Sequence, residues 1–422
     1  MPRLRLLQRI CRQAVLVVLT CILAANSAIA QETKRPKVAA IVTVYHHNSH
    51  ADMLVTRLFK SYTLDDKGGT PSLDLASLYT DQVPKSDTSR KWAKQYGFPI
   101  YDTIEEALTL GTDKLAVDGV MLVAEHGKYA KSDTGQRIFP KRRLFGEIVK
   151  VFEKTGKIVP VFSDKHLADN WEDAKWFYDT AKRLKIPLIA GSSLPGTWRY
   201  PATDVARGTK LKQLVAFSYG GLDSYGFHGL EMVQALVARR KGGESGVRSV
   251  QCLTGDDVWN ADKNGVYDRV IFDATIKCLK FPPPPDKPLK ELVQKPVLFV
   301  IDYNDGLRVN MFHLQGAFRE FAAGWKTDDG KIDATLFWLQ DARPYNHFEH
   351  FLRGIEPLMH TGKPPWPVER TLLTSGMLDA LLISKRDDGK KLKTPYLNIS
   401  YKTKWNWEQP PPPPTDRPSR SQ

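Results

Sequence analysis

The residues best equipped for chemistry in this chain sit in four short segments: His46-His47-Asn48-Ser49-His50-Ala51, Glu125-His126, Asp164-Lys165-His166 and a later His228. Imidazoles titrate near neutral pH and can take up or release a proton, and carboxylates beside them set their charge. Mixed His and carboxylate sets also suit transition metals. Spacing argues against a metal site here. His46-His47-x-x-His50 lacks the glutamate of H-E-x-x-H, and the other candidates come from separate segments. No metal centre is expected, and His50 with His166 is the alternative pair of ligands. Trp198, Tyr200, Tyr219 and Tyr225 add amphipathic rings that suit sugar faces or serve equally well as core.

Periodicity says what must position these groups. Val38–Tyr45 reads as a buried strand and Asp52–Ser61 as a helix, so the histidine-rich turn joins strand to helix, as at the start of a nucleotide-binding βαβ unit. Such a turn normally carries G-x-G-x-x-G, which lets bare backbone approach a pyrophosphate. This one has no glycine, and His46, His47 and His50 crowd that approach, although the helix N-terminus still offers N–H groups to an anion. Further strand-like runs at Asp74–Tyr79, Gly119–Ala124, Ile158–Phe162 and Pro187–Ala190 alternate with helical stretches at Ser86–Tyr96, Thr103–Leu110, Lys141–Lys154 and Asn170–Arg183. The alternation predicts an α/β chain with an N-terminal Rossmann-like, doubly wound parallel sheet over residues 31–195. Beyond it come a helix at Ser224–Arg240, strands at Val297–Tyr303, Leu307–Leu314 and Ala334–Gln340, a hairpin at Asn304-Asp305-Gly306, and helices at Phe348–Met359 and Val368–Ile383. That pattern predicts a C-terminal α+β domain with a mainly antiparallel sheet over residues 196–402. In this layout His50, Glu125, His126, Asp164, His166 and His228 fall near strand ends or the opposing domain face, where one cleft can collect them.

The ends of the chain differ in kind. Arg3, Arg5, Arg9 and Arg12 precede the apolar run Ala14–Ala25 and then Ala28-Ile29-Ala30, a Sec-type signal peptide over residues 1–30 that directs export to the periplasm or the exterior. Its removal takes the formal charge from +14 to +10. The remaining Lys and Arg are scattered among acids, which points away from a nucleic-acid partner. No second apolar run approaches the ~20 residues of a membrane span. Cys252 and Cys278 are two cysteines without a framework; an oxidising compartment permits a disulfide between them. Pro410–Pro414 marks residues 403–422 as a polyproline, disordered tail.

Four stretches, in order, carry a resemblance. Asp74–Ile100 looks like a second strand ending in an acid, followed by a helix and a Tyr-Gly-hydrophobic-Pro turn. Val159–Leu194 is similar to a segment bearing Glu-Lys-Pro, Tyr225–Val237 to a Gly-x-His-x-x-Asp helix start, and the stretch from Glu349 through Thr361-Gly362-Lys363-Pro364 to Leu382 to a pair of final helices. Together they make the chain resemble the glucose–fructose oxidoreductase/inositol dehydrogenase (Gfo/Idh/MocA) family over roughly residues 37–401. The resemblance implies NAD(P) in the first domain, a sugar or polyol substrate, and catalytic roles for Lys165 and His228. His228 would take the hydroxyl proton, while Lys165 would support nicotinamide and the developing oxygen charge. It also implies Asp81 at the adenosine ribose, with His46, Asn48, Ser49, His50, Glu125, His126 and Asp164 as the other cofactor contacts. The chain departs from the family pattern at the missing glycines, at His166 in place of proline, and at Glu125-His126-Gly127 in place of Thr-Pro. Two expectations follow. One is an exported oxidoreductase holding a nicotinamide cofactor in a modified pocket. The other is a non-redox carbohydrate- or metal-binding protein that has lost the dinucleotide. Self-association through the C-terminal sheet is expected in either case.

Overall fold

The apolar run that follows Lys37 is buried at every residue to Val42, as a strand covered on both faces requires. This is β1 (Lys37–Val42), and the computed structural model continues with α1 (His50–Phe59), β2 (Asp74–Thr80), α2 (Ser89–Tyr96), β3 (Ile100–Tyr101), α3 (Ile104–Thr109), β4 (Gly119–Val123), α4 (Lys141–Thr155), β5 (Val161–Asp164), α5 (Trp171–Arg183) and β6 (Leu188–Gly191). The structure describes residues 35–340 and 342–412, so the signal segment and residues 413–422 of the Pro-rich tail lie outside it. The six strands form one parallel sheet in the order β3-β2-β1-β4-β5-β6, with the switch of direction between β1 and β4. Ligands in such sheets bind beyond the carboxyl ends of the strands at that switch.

The second half contains β7 (Trp198–Tyr200), β8 (Leu211–Ser218), α6 (Ser224–Val237), β9 (Val247–Thr254), α7 (Asp256–Asn260), α8 (Arg269–Lys277), α9 (Leu289–Leu292), β10 (Val297–Tyr303), β11 (Arg308–His313), β12 (Phe321–Thr327), β13 (Ile332–Trp338), α10 (His347–Thr361), α11 (Glu369–Arg386) and β14 (Leu392–Lys393). Its eight strands run β14-β9-β10-β11-β8-β12-β13-β7. Every pairing is antiparallel except β8 with β11, so the mainly antiparallel sheet stands. The hairpin falls where expected, between β10 and β11, with Gly306 at a φ of 92°. From Pro36 onward the two sheets belong to one compact unit.

Helices bind the halves together. On one face of the parallel sheet lie Leu108, Phe145, Phe152 and Phe177 of α3, α4 and α5. On the other, Leu54 and Val55 of α1 share a core with Phe351, Leu352, Ile355 and Leu358 of α10. A helix late in the sequence therefore covers the first sheet. The eight-stranded sheet is also covered twice, by α6 and α11 on one face and by the segment carrying Val258, Tyr267, Ile271, Phe272 and Val293 on the other. α8 approaches β12 so closely that a Cβ at Gly324 would collide with the Thr275 hydroxyl. Both faces of this sheet are thus covered by the chain itself.

The expectation of a disordered tail changes in part, and the open question of the two cysteines is answered. Residues 403–412 are docked rather than loose: Trp407 Nε1 donates to Thr197 O at 2.8 Å, Arg199 N to Gln409 Oε1 at 3.0 Å, and Trp198 Nε1 to Pro411 O at 2.6 Å. Each bond satisfies a group on or beside β7, the edge strand. Cys252 and Cys278 are free thiols, one packed in the α6/α11 core and the other against the core on the opposite sheet face.

Candidate functional site

At the carboxyl ends of β1, β4, β5 and β6 lies a cavity of about 600 Å³. His50, His126, Lys165 and Ser193 line it from the parallel-sheet side, and Tyr219, Ser224, Tyr225, His228 and Arg319 line it from the other half. Gln340, Tyr345 and His347 close a corner.

Lys165 follows directly on β5. It sits in the left-handed region at a φ of 59°, with its N–H bonded to Gly191 O at 2.9 Å. That kink carries the side chain into the cavity floor. There Nζ lies 3.0 Å from Glu125 Oε2 and donates to Ser224 Oγ at 3.0 Å. Glu125 is also held by Lys141 Nζ at 2.7 Å, and Lys141, the first residue of α4, donates as well to the carbonyls of Asp164 and His166 at 2.6 and 2.7 Å. Burial alone would protonate Glu125, but the two ammonium groups outweigh it and hold the carboxyl well below the usual range. Burial likewise opposes charge on Lys165, yet Glu125 and Asp164 raise its pKa above the ordinary value. Lys165 is therefore a cation throughout the neutral range.

His228 lies in the first turns of α6. Its Nδ1 is 2.6 Å from Ser192 Oγ, and that oxygen already accepts from Leu194 N at 3.0 Å. Nδ1 is the one acceptor within reach of that hydroxyl's hydrogen among the described residues, and a bond from Oγ–H to Nδ1 places the imidazole proton on Nε2. Burial, then Lys165 and His50, push the His228 pKa well below normal, so the ring is a neutral donor. Behind it, one turn along α6, Glu231 is wholly buried and pairs with Arg370 Nε at 3.1 Å, Thr371 Oγ1 at 3.1 Å, Thr374 Oγ1 at 2.7 Å and Ser192 N at 3.3 Å. Position 191 must be glycine because a Cβ there would meet the Glu231 carboxylate.

His50 pairs through Nδ1 with Asp164 Oδ2 at 2.5 Å. A buried carboxylate holding Nδ1–H leaves Nε2 as a proton acceptor, the logic of an Asp–His pair. The His50 N–H meets His126 Nδ1 at 3.4 Å, and burial, with His50 and Lys165, lowers His126 to about 3.

Away from this cavity the same sheet edge is closed. Ser49 is the N-cap of α1, its Oγ accepting from Asp52 N at 3.2 Å. Asp52 turns back to accept from Asn48 N at 2.9 Å, Thr56 Oγ1 at 2.8 Å and Arg343 Nη1 at 2.7 Å. A carboxylate of the chain itself thus sits where a helix N-terminus would greet a phosphate. At the end of β2, Asp81 accepts from Tyr129 Oη at 2.7 Å and Tyr79 Oη at 3.1 Å and pairs with Arg143. Gln82 is bonded twice to Lys128, at 2.9 and 3.1 Å. The segment between β4 and α4 is therefore laid across to β2, over the path an adenosine would take.

Of the residues singled out in the sequence, Asn48, His50, His126, Lys165 and His228 line the cavity, with Tyr219 and Tyr225 among the aromatics. Glu125 and Asp164 stand just behind, as partners of Lys165 and His50. Ser49 is a cap and Asp81 is engaged by side chains; His46 lies outside the lining, its ring 5.7 Å from that of His126. His166 is turned between Phe139 and Phe227, at 6.5 and 5.5 Å, and burial with Lys141 lowers it to about 4. It is not beside His50, and among the described residues no group of three or more His, Cys, Asp or Glu is placed to hold a metal. Trp198 is buried and Tyr200 is exposed, both away from the cavity lining. Asp52, Lys141, Ser192 and Glu231 were not foreseen. Only Asp52 had a readable signal, the capping pattern Ser49-His50-Ala51-Asp52.

A dinucleotide, the group this sheet topology usually holds, does not fit these residues. The α1 N–H groups of His50 and Asp52 are committed to His126 and Ser49, the Asn48 N–H ahead of them is committed to Asp52, and the ribose carboxylate is committed to Tyr79, Tyr129 and Arg143.

No protein-family profile matches the chain, and no curated protein matches its sequence. Solved structures do match. GenD2 from gentamicin A biosynthesis, in complex with NAD, shares 13% identity over 86% of this chain and 97% of its own, at a TM-score of 0.55. A putative myo-inositol dehydrogenase from Sinorhizobium meliloti 1021 shares 12% identity over 85% of this chain and 99% of its own, at a TM-score of 0.51. The myo-inositol dehydrogenase of Corynebacterium glutamicum shares 12% over 85% and 98%, also at 0.51. Among the described residues no helix is long and apolar enough to cross a membrane. The chain has the two-sheet fold of the Gfo/Idh/MocA-type NAD-binding dehydrogenases.

Proposed function

We propose that this protein binds a sugar- or polyol-like small molecule in the cavity between its two sheets and acts on it by proton transfer, with no resident dinucleotide. The observation that carries this reading is where the cavity stops. It includes Lys165, His228 and His50, which Asp164 holds from behind, but it ends at Asn48 and His126, with Asp81 and the β2 end sealed off. In this reading His50 Nε2 accepts a proton, Asp164 steadies the imidazolium that forms, and Lys165 with His228 Nε2–H donates to the ligand oxygen that gains charge. The similarity in fold to inositol dehydrogenases supports the ligand class. The leader directs the mature chain, beginning at Gln31, to the periplasm or the exterior, and N-terminal sequencing of the exported protein tests that.

A second reading, an NAD(P)-dependent oxidoreductase on CH–OH groups, is favoured by the fold neighbours and by the placing of Lys165 and His228. It requires the segment between β4 and α4 to leave Asp81. Calorimetric titration of the purified mature chain with NAD(H) and NADP(H) separates the two. The proposal expects no saturable heat at millimolar dinucleotide. Saturable binding that Lys165→Ala abolishes overturns it in favour of the redox reading.

A further inference from the structure

A wall that binds neutral polyols must accept hydrogens as well as give them, because every sugar hydroxyl brings one of each. The wall of this cavity is unbalanced. Lys165 spends two of its three hydrogens on Glu125 and Ser224 and has a third to offer. Ser224 accepts from Lys165, so its own hydroxyl hydrogen is available to a ligand. His228 presents Nε2–H because Ser192 occupies Nδ1. His126 presents Nε2–H for the same kind of reason, its Nδ1 being taken by the His50 N–H. Arg319 stands on the lining as a second cation.

The acceptors on the lining carry no negative charge. Asn48 Oδ1 receives Arg343 Nη1 at 3.2 Å, and Gln340 Oε1 receives Asn346 N at 2.8 Å. Among the described lining residues none is Asp or Glu. Glu125 and Asp164, just behind the lining, are 5% and 1% exposed and are held by Lys141, Lys165 and His50. The acceptors on the lining, among them His50 Nε2, His347 Nδ1 and the serine and tyrosine hydroxyl oxygens, are all uncharged groups. A neutral polyol brings no charge to the donors, whereas an anionic oxygen pair makes its bonds to Lys165, Ser224 and His228 charge-assisted.

Building on the reading that this cavity is a small-molecule site, we propose that its ligand is a sugar acid, whose carboxylate is received by Lys165, Ser224 and His228. A planar carboxylate suits one ammonium flanked by two neutral donors, while a phosphate dianion calls for more fixed positive charge within reach. His50 Nε2 then faces the hydroxyl-bearing remainder of the molecule as an acceptor held ready by Asp164.

The test is calorimetry on the full mature chain with D-gluconate, D-glucuronate, myo-inositol, D-glucose 6-phosphate and NAD(H). One of the two acids is expected to bind about tenfold or more tightly than myo-inositol, the difference a charge-assisted hydrogen bond makes. Lys165→Met is expected to remove that preference. Because Lys165 is structurally coupled to Glu125, Arg319→Gln at an exposed position and Ser224→Ala serve as the second and third variants, each weakening the acid several-fold and leaving thermal unfolding near wild type. Myo-inositol binding as tightly as the acids overturns the carboxylate assignment and leaves the cavity's small-molecule role standing. Glucose 6-phosphate binding more tightly than either acid also overturns it, in favour of a phosphosugar. Saturable NAD(H) binding with no sugar response overturns the underlying reading itself, and silence from every probe at millimolar concentration overturns both.

Discussion

On one side of the β1/β4 switch, the ends of β5 and β6 point charged and neutral donors into open space. On the other, the ends of β1 and β2 point polar groups at one another. The same edge of the same sheet has been used in two ways. The open side is held from behind: Lys165 rests on Glu125, His228 on Ser192, and Ser192 on Glu231, which Arg370 neutralises. The filled side satisfies itself: α1 receives Asp52, and Asp81 receives two phenols and a guanidinium. Donors that would have met a cofactor were given internal partners, so the closure is built from specific bonds rather than left by an accidental loss of glycine.

The difference makes energetic predictions, and the open side gives the largest. Glu231→Ala strands the Arg370 guanidinium in a core where the pair is almost wholly buried. Breaking such a pair from one end costs about 3–5 kcal/mol. Denaturant unfolding should show a loss of that size, and the variant should also lose the ligand response because Ser192 no longer fixes His228. A loss under about 1 kcal/mol would show that the site is not held from behind.

Acid should act next. His166 and His126 have folded pKa values lowered to about 4 and about 3 by burial first, with nearby cations adding to it. An unfolded histidine titrates near ~6.5. Between those values the unfolded chain binds more protons than the folded one, so stability rises with pH through the window and levels off above it. For His166 alone the span corresponds to about 3 kcal/mol. Glu125 has the opposite protonation state but the same direction: its depressed pKa gives stability present above the unfolded carboxylate value, lost only as pH falls below about 4.3. Urea titrations at pH 7 and pH 5 should therefore already differ, and His166→Gln should flatten the slope. An unchanged midpoint between the two pH values would remove the buried neutral imidazoles from the account.

How much of this was legible depended on sequence distance. β1, β4 and the first five residues of β10 are continuous apolar runs and read directly, and Lys165 and His228 stood in recognisable surroundings. β12 did not read as a strand because its Ala322-Ala323-Gly324 core lacks the branched side chains strands favour; α8, packed tight against it, needs them small. β9 hid behind Arg248, Ser249 and Gln251. Asp52 could have been read from its capping pattern, since its partners within the cap, Asn48, Ser49 and Thr56, lie within four residues. Glu231 could not: its arginine is 139 positions away, and nothing local marks a buried acid in a helix that is otherwise apolar.

The filled side is expected to give smaller effects. Asp52→Ala removes the return half of the α1 cap, leaves the Asn48 N–H and the Thr56 hydroxyl without this acceptor and Arg343 with Asn48 Oδ1 alone of its two recorded acceptors, a loss of about 2 kcal/mol. It also uncovers the positive end of α1, so inorganic pyrophosphate, which should not affect the parent protein, should raise the unfolding temperature of the variant. No response to pyrophosphate would mean that Asp52 caps the helix without standing in for a ligand.

The smallest change asks the sharpest question of the comparison. Tyr129→Phe deletes one hydrogen bond to Asp81 at the part-exposed rim of the sheet, a loss of about 1 kcal/mol. Asp81 keeps Arg143 and Tyr79, and Gln82 keeps both bonds to Lys128, so the segment should stay across the β2 end and dinucleotide binding should remain undetectable. If this single hydroxyl is enough to admit NAD(H), the segment between β4 and α4 is a latch over a working cofactor groove. The two sides of the edge would then be halves of one site, with Asp81 free to meet a ribose and Lys165 at the other end of the same ligand.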